Sequence, residues 1–402
     1  MLYLNKQSVF LTNIIFIVLT SFFVILTGEE KALVYTFIFG ISTIIASFVD
    51  ASERNSFKYF FSILICIIFL TTIIGLRDFG IGYDTNLYID YYFENAKRIH
   101  NFNDFIKSEG DLGFTFLAYI AGLFSNDKQA LLVVTEFWIC LFTFLGIHEA
   151  NKSNKKVDWS TFLMLWLFTF LNISMNLMRQ YCAMSMLLLA YVLLDAGKWK
   201  KALIIQILSY FFHSSAIIFL PVFGVFYLSK LRNTRRRNML SVIILIFTSY
   251  LITHIFILLP ILASYSIISD VYSERYGANT NFGSVNIFGA AIIALYLLTY
   301  LLIYILSKKG VLSNEETYIA NVIHTLFFIL RFLAFYVEYL ARLSEYYFYI
   351  DIFIIAVMLK SDKVPRILTY SIYICLIYLW YRSYILIPGA ETYPFKSSIL
   401  GI

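Results

Sequence analysis

Three arginines stand where an apolar chain can least afford them. Arg179 lies in "NISMNLMRQYCAMSMLLLAYVLL", where two apolar runs meet with almost no loop between them. Arg77 follows another apolar run, and Arg342 opens the aromatic stretch "ARLSEYYFYID". A charge at the edge of a membrane usually faces a polar cavity or a partner. Guanidinium groups pair in a fork with phosphate oxygens, so such a set suits an anionic phosphate ligand. Arg275 joins the set from a later loop. For Arg179 the plain alternative is a side chain reaching up to lipid headgroups, but Asn176 and Gln180 beside it favour a polar site.

A phosphate leaving group needs a partner that takes a proton from the attacking hydroxyl. Four groups are candidates: Asp84, Asp111, His213 and Glu338. Asp84 lies in "GLRDFGIGYDTNLYIDYY", after Gly80 and Gly82, which let the backbone turn tightly, and before Tyr88. Nearby arginine keeps such a carboxylate ionised, and Asp84 ranks first. His213, in "SYFFHSSAIIFLP", has the better intrinsic pKa and ranks second, although a lone histidine is more often a hydrogen-bonded structural group. His254 and His324 read as structural, and Glu136 is ambiguous. An interfacial aromatic belt accounts for the tyrosines around Arg342 and Glu345; it does not account for Asp351 deeper in the same run.

Cys66, Cys140, Cys182 and Cys375 lie far apart inside apolar runs, so neither a disulfide framework nor a metal cluster is indicated. No P-loop, serine-hydrolase elbow or soluble nucleotide-sugar fold is visible. The residues suggest metal-independent transfer from a lipid-linked phosphate donor, with no cofactor.

The elements that position these groups are membrane spans. Of 402 residues 60% are hydrophobic and 14% charged, more apolar than a soluble domain can bury. Runs long enough to cross about 30 Å of hydrocarbon recur throughout, near 8–27, 32–49, 57–76, 129–148, 158–175, 177–196, 238–260, 286–306, 317–336, 343–360 and 366–386. The first lacks a cleavage site and reads as an uncleaved helix. The expectation is an all-α polytopic membrane protein forming a single transmembrane domain over 1–402, with about 11–14 transmembrane helices plus short re-entrant or hairpin helices.

Orientation follows from the basic loops. Arg54 with Lys58, Lys152 to Lys156, Lys198 to Lys201, Lys230 to Arg237, Lys308 with Lys309, and Lys360 to Arg366 all fall on the cytoplasmic side on one condition. Stretch 112–126 must dip in and return, and 202–229 must form a helical hairpin turning near His213. The net charge of +6 then serves orientation rather than nucleic-acid binding. Arg77, Asp84, Arg179, His213, Arg275 and Arg342 all come out at the outer face, with the longest external loops at 77–111 and 261–285.

Taken in order, these pieces resemble the EpsG family of bacterial exopolysaccharide and O-antigen polymerases, related to Wzy-type enzymes. The resemblance rests on Arg77 with Gly82-Tyr83-Asp84-Thr85 and Tyr88, then Asp111-Leu112-Gly113-Phe114, then Arg179-Gln180 with Ala183. It continues through Phe212-His213-Ser214-Ser215-Ala216, Arg342-Leu343 with Tyr346-Tyr347-Phe348, and Tyr393-Pro394-Phe395. It departs at Asp111, where the family often has glutamate. The resemblance implies a fold like that of GT-C membrane glycosyltransferases and an activity in the bacterial inner membrane. Undecaprenyl-pyrophosphate-linked oligosaccharide repeat units would be joined on its outer side. Implied partners are the lipid-linked donor and acceptor, membrane lipids and a chain-length regulator protein. Arg77, Arg179, Gln180, Arg275, Arg342 and Tyr88 are the expected pyrophosphate and substrate contacts.

Two other classes compete. A flippase or exporter of lipid-linked sugar also needs basic groups, but such transporters usually carry internal repeats, and none is evident between the halves. A membrane O-acyltransferase with His213 as base needs a cytoplasmic acyl donor, whereas His213 comes out on the other side.

Overall fold

The computed structural model describes residues 6–108, 110–153, 157–231, 239–240, 242–243, 287–334, 339–387 and 390–402. Among them every regular element is helical and no strand occurs. The chain is an all-α polytopic membrane protein. Its helices pack as two compact units, the first made of residues up to Ile217 with Ile355–Ile402, the second of Ile218–Ile354.

The first unit holds α1 (Lys6–Leu26), α2 (Leu33–Ala51), α3 (Phe57–Gly75), α4 (Thr85–Ala96), α5 (Phe102–Ile106) and α6 (Leu112–Phe124). It continues with α7 (Gln129–Lys152), α8 (Trp159–Asn176), α9 (Met178–Asp195) and α10 (Trp199–Phe212). The second holds α11 (Leu220–Ser229), α12 (Ile287–Lys308), α13 (Asn314–Leu333) and most of α14 (Tyr339–Leu359). In the first unit again, α15 (Arg366–Trp380) runs into a π-helical stretch, Tyr381–Leu386.

Six of these, α1, α2, α3, α7, α12 and α13, are long and apolar enough to cross a membrane. Their outward faces show why. On α1 and α3, Leu11, Ile15, Phe22, Phe60, Leu64 and Ile68 are exposed, an apolar surface that only lipid would cover without cost. The central pair, α8 and α9, is built differently. Almost every side chain of both is buried, with α2 and α15 against α8 and α7 and α10 against α9. A helix surrounded by protein can carry polar groups that find partners there, and this pair buries Asn172, Ser174, Asn176, Gln180 and Ser185.

Three expected features take a more definite form. Stretch 112–126 forms one 13-residue helix, Leu112–Phe124, about 20 Å long and, as expected, short of a full crossing. Stretch 202–229 does break at His213, whose backbone is extended at φ −159° and ψ 120°. The chain folds back there, because Gln206 Nε2 donates to Ala216 O at 3.0 Å. Stretch 77–111 is no open loop, since α4 and α5 form within it and pack on α6. Segment 261–285 with Arg275, the Arg232 to Arg237 cluster, His254 and Glu338 lie outside the described residues.

Candidate active site

Helix α8 stops at Leu177, whose φ −90° and ψ 45° leave the helical region, and α9 starts at once. Arg179 therefore falls in the first turn of α9, at the positive end of its dipole. Its Nη1 donates to Asp111 Oδ2 at 2.6 Å and to the Tyr92 hydroxyl at 3.0 Å. The guanidinium carbon lies 4.1 Å from the ring centre of Tyr88 and 5.6 Å from that of Tyr92. The cation is thus held by a carboxylate and two aromatic faces, yet 14% of the Arg179 side chain and 19% of that of Asp111 stay exposed.

The helix period assembles the partners. Tyr88 and Tyr92 lie four residues apart on one face of α4, and Asp84, the residue just before its first turn, continues the same spacing. The Tyr88 hydroxyl donates to Asp84 Oδ2 at 3.3 Å, and the Asp84 N–H donates to Asn176 Oδ1 at 2.9 Å. The junction that supplies Arg179 thus also anchors the start of α4. Asp84 itself is buried.

Asp111 precedes α6 in the N-cap position, but its side chain caps nothing there; it is turned to Arg179 instead. Its own N–H donates to the Tyr92 hydroxyl at 3.0 Å. Burial holds the Asp111 carboxyl above the usual carboxylate range, with Arg179 opposing that shift. Burial also pushes the Tyr92 hydroxyl up to about 12, so it stays protonated. Next in sequence, Gly113 admits the ring of Phe212, which would lie 2.6 Å from any Cβ placed there. Phe212 also stacks on Trp138 at 4.9 Å. This contact brings the break at His213 to the same end of the bundle as Asp111. His213 Nδ1 lies 3.3 Å from Ser215 Oγ.

The C-terminal residues hold the turn before α4. Asp78 N–H donates to Lys396 O, Gly82 N–H to Glu391 O and Tyr83 N–H to Ala390 O. Gly82 has φ +95°, and a Cβ on it would meet Met175 O at 2.8 Å, so only glycine fits. The turn at Gly82-Tyr83 is thus held by the residues on either side of Tyr393-Pro394-Phe395.

Two of the expected contacts in the first unit are enclosed by protein. Arg77 is fully buried and donates to Glu136 Oε1 at 3.0 Å, Ile74 O at 2.8 Å and Met175 O at 3.1 Å. A guanidinium enclosed in this way is directed at protein atoms rather than at a ligand. Gln180 is buried inside α9, its Nε2 3.7 Å from Met184 Sδ. Arg342 belongs to the first turn of α14 in the second unit, and Arg275 lies outside the described residues. Asp351, unaccounted for by an aromatic belt, pairs with His324 Nδ1 at 2.7 Å. His324 Nε2 also lies 3.0 Å from Tyr296 O, so one imidazole links α12, α13 and α14. Tyr92 and the Arg77–Glu136 pair escape a reading of the sequence; Tyr92 was within reach of one, being eight residues beyond Asp84 on the same helical face.

A model of the EpsG family matches residues 58–397, a stretch that contains the whole cluster. No curated protein matches the chain, and no solved structure does.

Proposed function

We propose, from the premise that the chain belongs to the EpsG family, that it polymerises lipid-pyrophosphate-linked oligosaccharide repeat units at the Arg179 end of the bundle. The family is one of Wzy-like polysaccharide polymerase-type membrane proteins. The observation that carries the reading is the partly exposed Arg179–Asp111 pair, an anion-binding cation beside a carboxylate of raised basicity.

The reaction divides between the two side chains. A hydroxyl of the acceptor unit attacks the anomeric carbon of the growing chain, its proton passing to the Asp111 carboxylate. The bond from that carbon to the lipid pyrophosphate breaks, and its electron pair leaves with the pyrophosphate. Arg179 and the positive end of α9 stabilise the departing charge. Asp111 is preferred to Asp84 as the base because it is more exposed and its carboxyl is pushed up toward a more basic value. Asp84 then orients Tyr88, and through it the face of Arg179. His213 lines the rim. The substrate is undecaprenyl-pyrophosphate-linked, as the family resemblance implies, and the bundle end faces away from the cytoplasm.

Membranes from cells lacking the protein test the reading against export. Loss of long chains with single-repeat glycans retained supports polymerisation; complete loss of surface glycan supports a flippase. In cells carrying Arg179→Lys at normal protein level, long chains should be lost, because lysine keeps the charge without the fork or the stacked plane.

A further inference from the structure

We infer that Glu136, through its buried pair with Arg77, is a positioning residue for Arg179; the inference rests on the polymerase reading above. The starting point is the break between α8 and α9. Where α8 stops, the Met175 carbonyl loses its helical donor, and an unsatisfied carbonyl inside a bundle is costly. Two side chains take its place: Arg77 Nη2 at 3.1 Å and Thr85 Oγ1 at 3.1 Å. Thr85 is the first residue of α4 and follows Asp84. Met175 O is thus the point at which α3, α4 and the α8–α9 junction meet.

Arg77 reaches that point from the end of α3 because Glu136 holds it there. Glu136 lies in the interior of α7 with no exposure, and its Oε1 takes Arg77 Nη1 at 3.0 Å. Gln129, seven residues earlier on the same face of α7, donates from Nε2 to Gly75 O at 2.6 Å and Arg77 O at 3.1 Å. Helix α7 therefore grips both the backbone and the side chain of Arg77. The guanidinium carries that constraint to Met175 O, two residues before the break that sets the direction of Arg179. A rigid carboxylate in a span is here an anchor for the reacting end, and Glu136 needs no contact with substrate to affect the rate.

The experiment uses full-length protein in nanodiscs with an undecaprenyl-pyrophosphate-linked repeat unit. Glu136→Gln leaves Arg77 buried without its counter-ion and is prone to misfold. Arg77→Met with Glu136→Leu removes both charges and keeps the volume, so this double variant carries the test. It should reach normal levels and bind the lipid-linked unit within about threefold of wild type, while kcat falls about 100-fold, the scale of a small misplacement of reacting groups. Hydrogen exchange should quicken at residues 81–85 and 175–181 and stay unchanged elsewhere in the first unit. Wild-type exchange in both segments, or a wild-type rate, overturns the inference. Quickened exchange in both segments, in a protein whose wild type extends no chain, overturns the polymerase reading and leaves the clamp standing.

Discussion

The two ends of the first unit carry the same kinds of residue and use them in opposite ways. At one end Asp50 of α2 accepts from the N–H groups of Trp159 and Ser160 at 2.8 and 3.0 Å and from the Ser160 hydroxyl at 2.8 Å. That carboxylate caps α8 from a neighbouring helix. Asp158, the residue in the N-cap position, is released to pair with Lys360 at 2.8 Å. Arg54 donates to Asn151 O, and Asn151 closes the turn before α8 through Val157. A cleft of about 390 Å³ opens there, yet its carboxylates and cations are engaged in holding helix ends. At the other end Asp111 is also an N-cap residue but leaves its helix uncapped and turns to Arg179. A capping opportunity forgone beside a partly exposed arginine sets this end apart from the one around Asp50 and makes it the candidate site.

The largest effect belongs to Arg179→Lys. At the reacting end the loss of a preorganised donor should cost about 100-fold or more in chain extension, with protein level unchanged; near-normal chain length on a gel would return Arg179 to a headgroup contact. Gly113→Ala acts one step removed. Its Cβ would press on Phe212, so overpacking should cost about 1–3 kcal/mol in thermal unfolding. The extension rate should also drop, as Asp111 moves with α6. At the quiet end Asp50→Asn weakens the cap on α8 and should cost about 0.5–2 kcal/mol, while the rate per folded molecule holds. A rate loss as large as that of Arg179→Lys would erase the distinction between the ends. The smallest effect belongs to Lys97→Ala, which removes an exposed pair with Glu94 and should shift stability by less than about 0.5 kcal/mol.

How far the sequence reached follows the same division. Spans of uniform apolarity were readable from hydropathy alone, and α3, α7, α12 and α13 fall close to where the runs placed them. The junction of α8 and α9 was legible because two apolar runs meet at Arg179 without a loop. The packing of 112–126 was not, since a short apolar run does not say which helices cover it. Arg179 was visible as a charge in a costly position, Asp84 and Asp111 as possible proton acceptors and Tyr88 through the family resemblance. Their pairing was not, because it depends on α4 and α6 packing together, a tertiary fact that no local period encodes. Arg77 is the opposite case. Its chemistry matched that of a phosphate ligand, and only burial against Glu136 distinguishes an anchor from a binding group.

The most direct test of the central claim is the pH dependence of chain extension by purified protein acting on lipid-linked repeat units. Burial raises the pKa of Asp111 above the ordinary carboxylate range, so protonation removes the base as pH falls through that raised value. The rate should therefore fall on the acid side at a pH clearly above about 4, where a free aspartate titrates. Asp111→Asn should abolish extension at every pH while the lipid-linked unit still binds. An Asp111→Asn protein that extends chains at the wild-type rate, with the acid limb intact, would contradict the account.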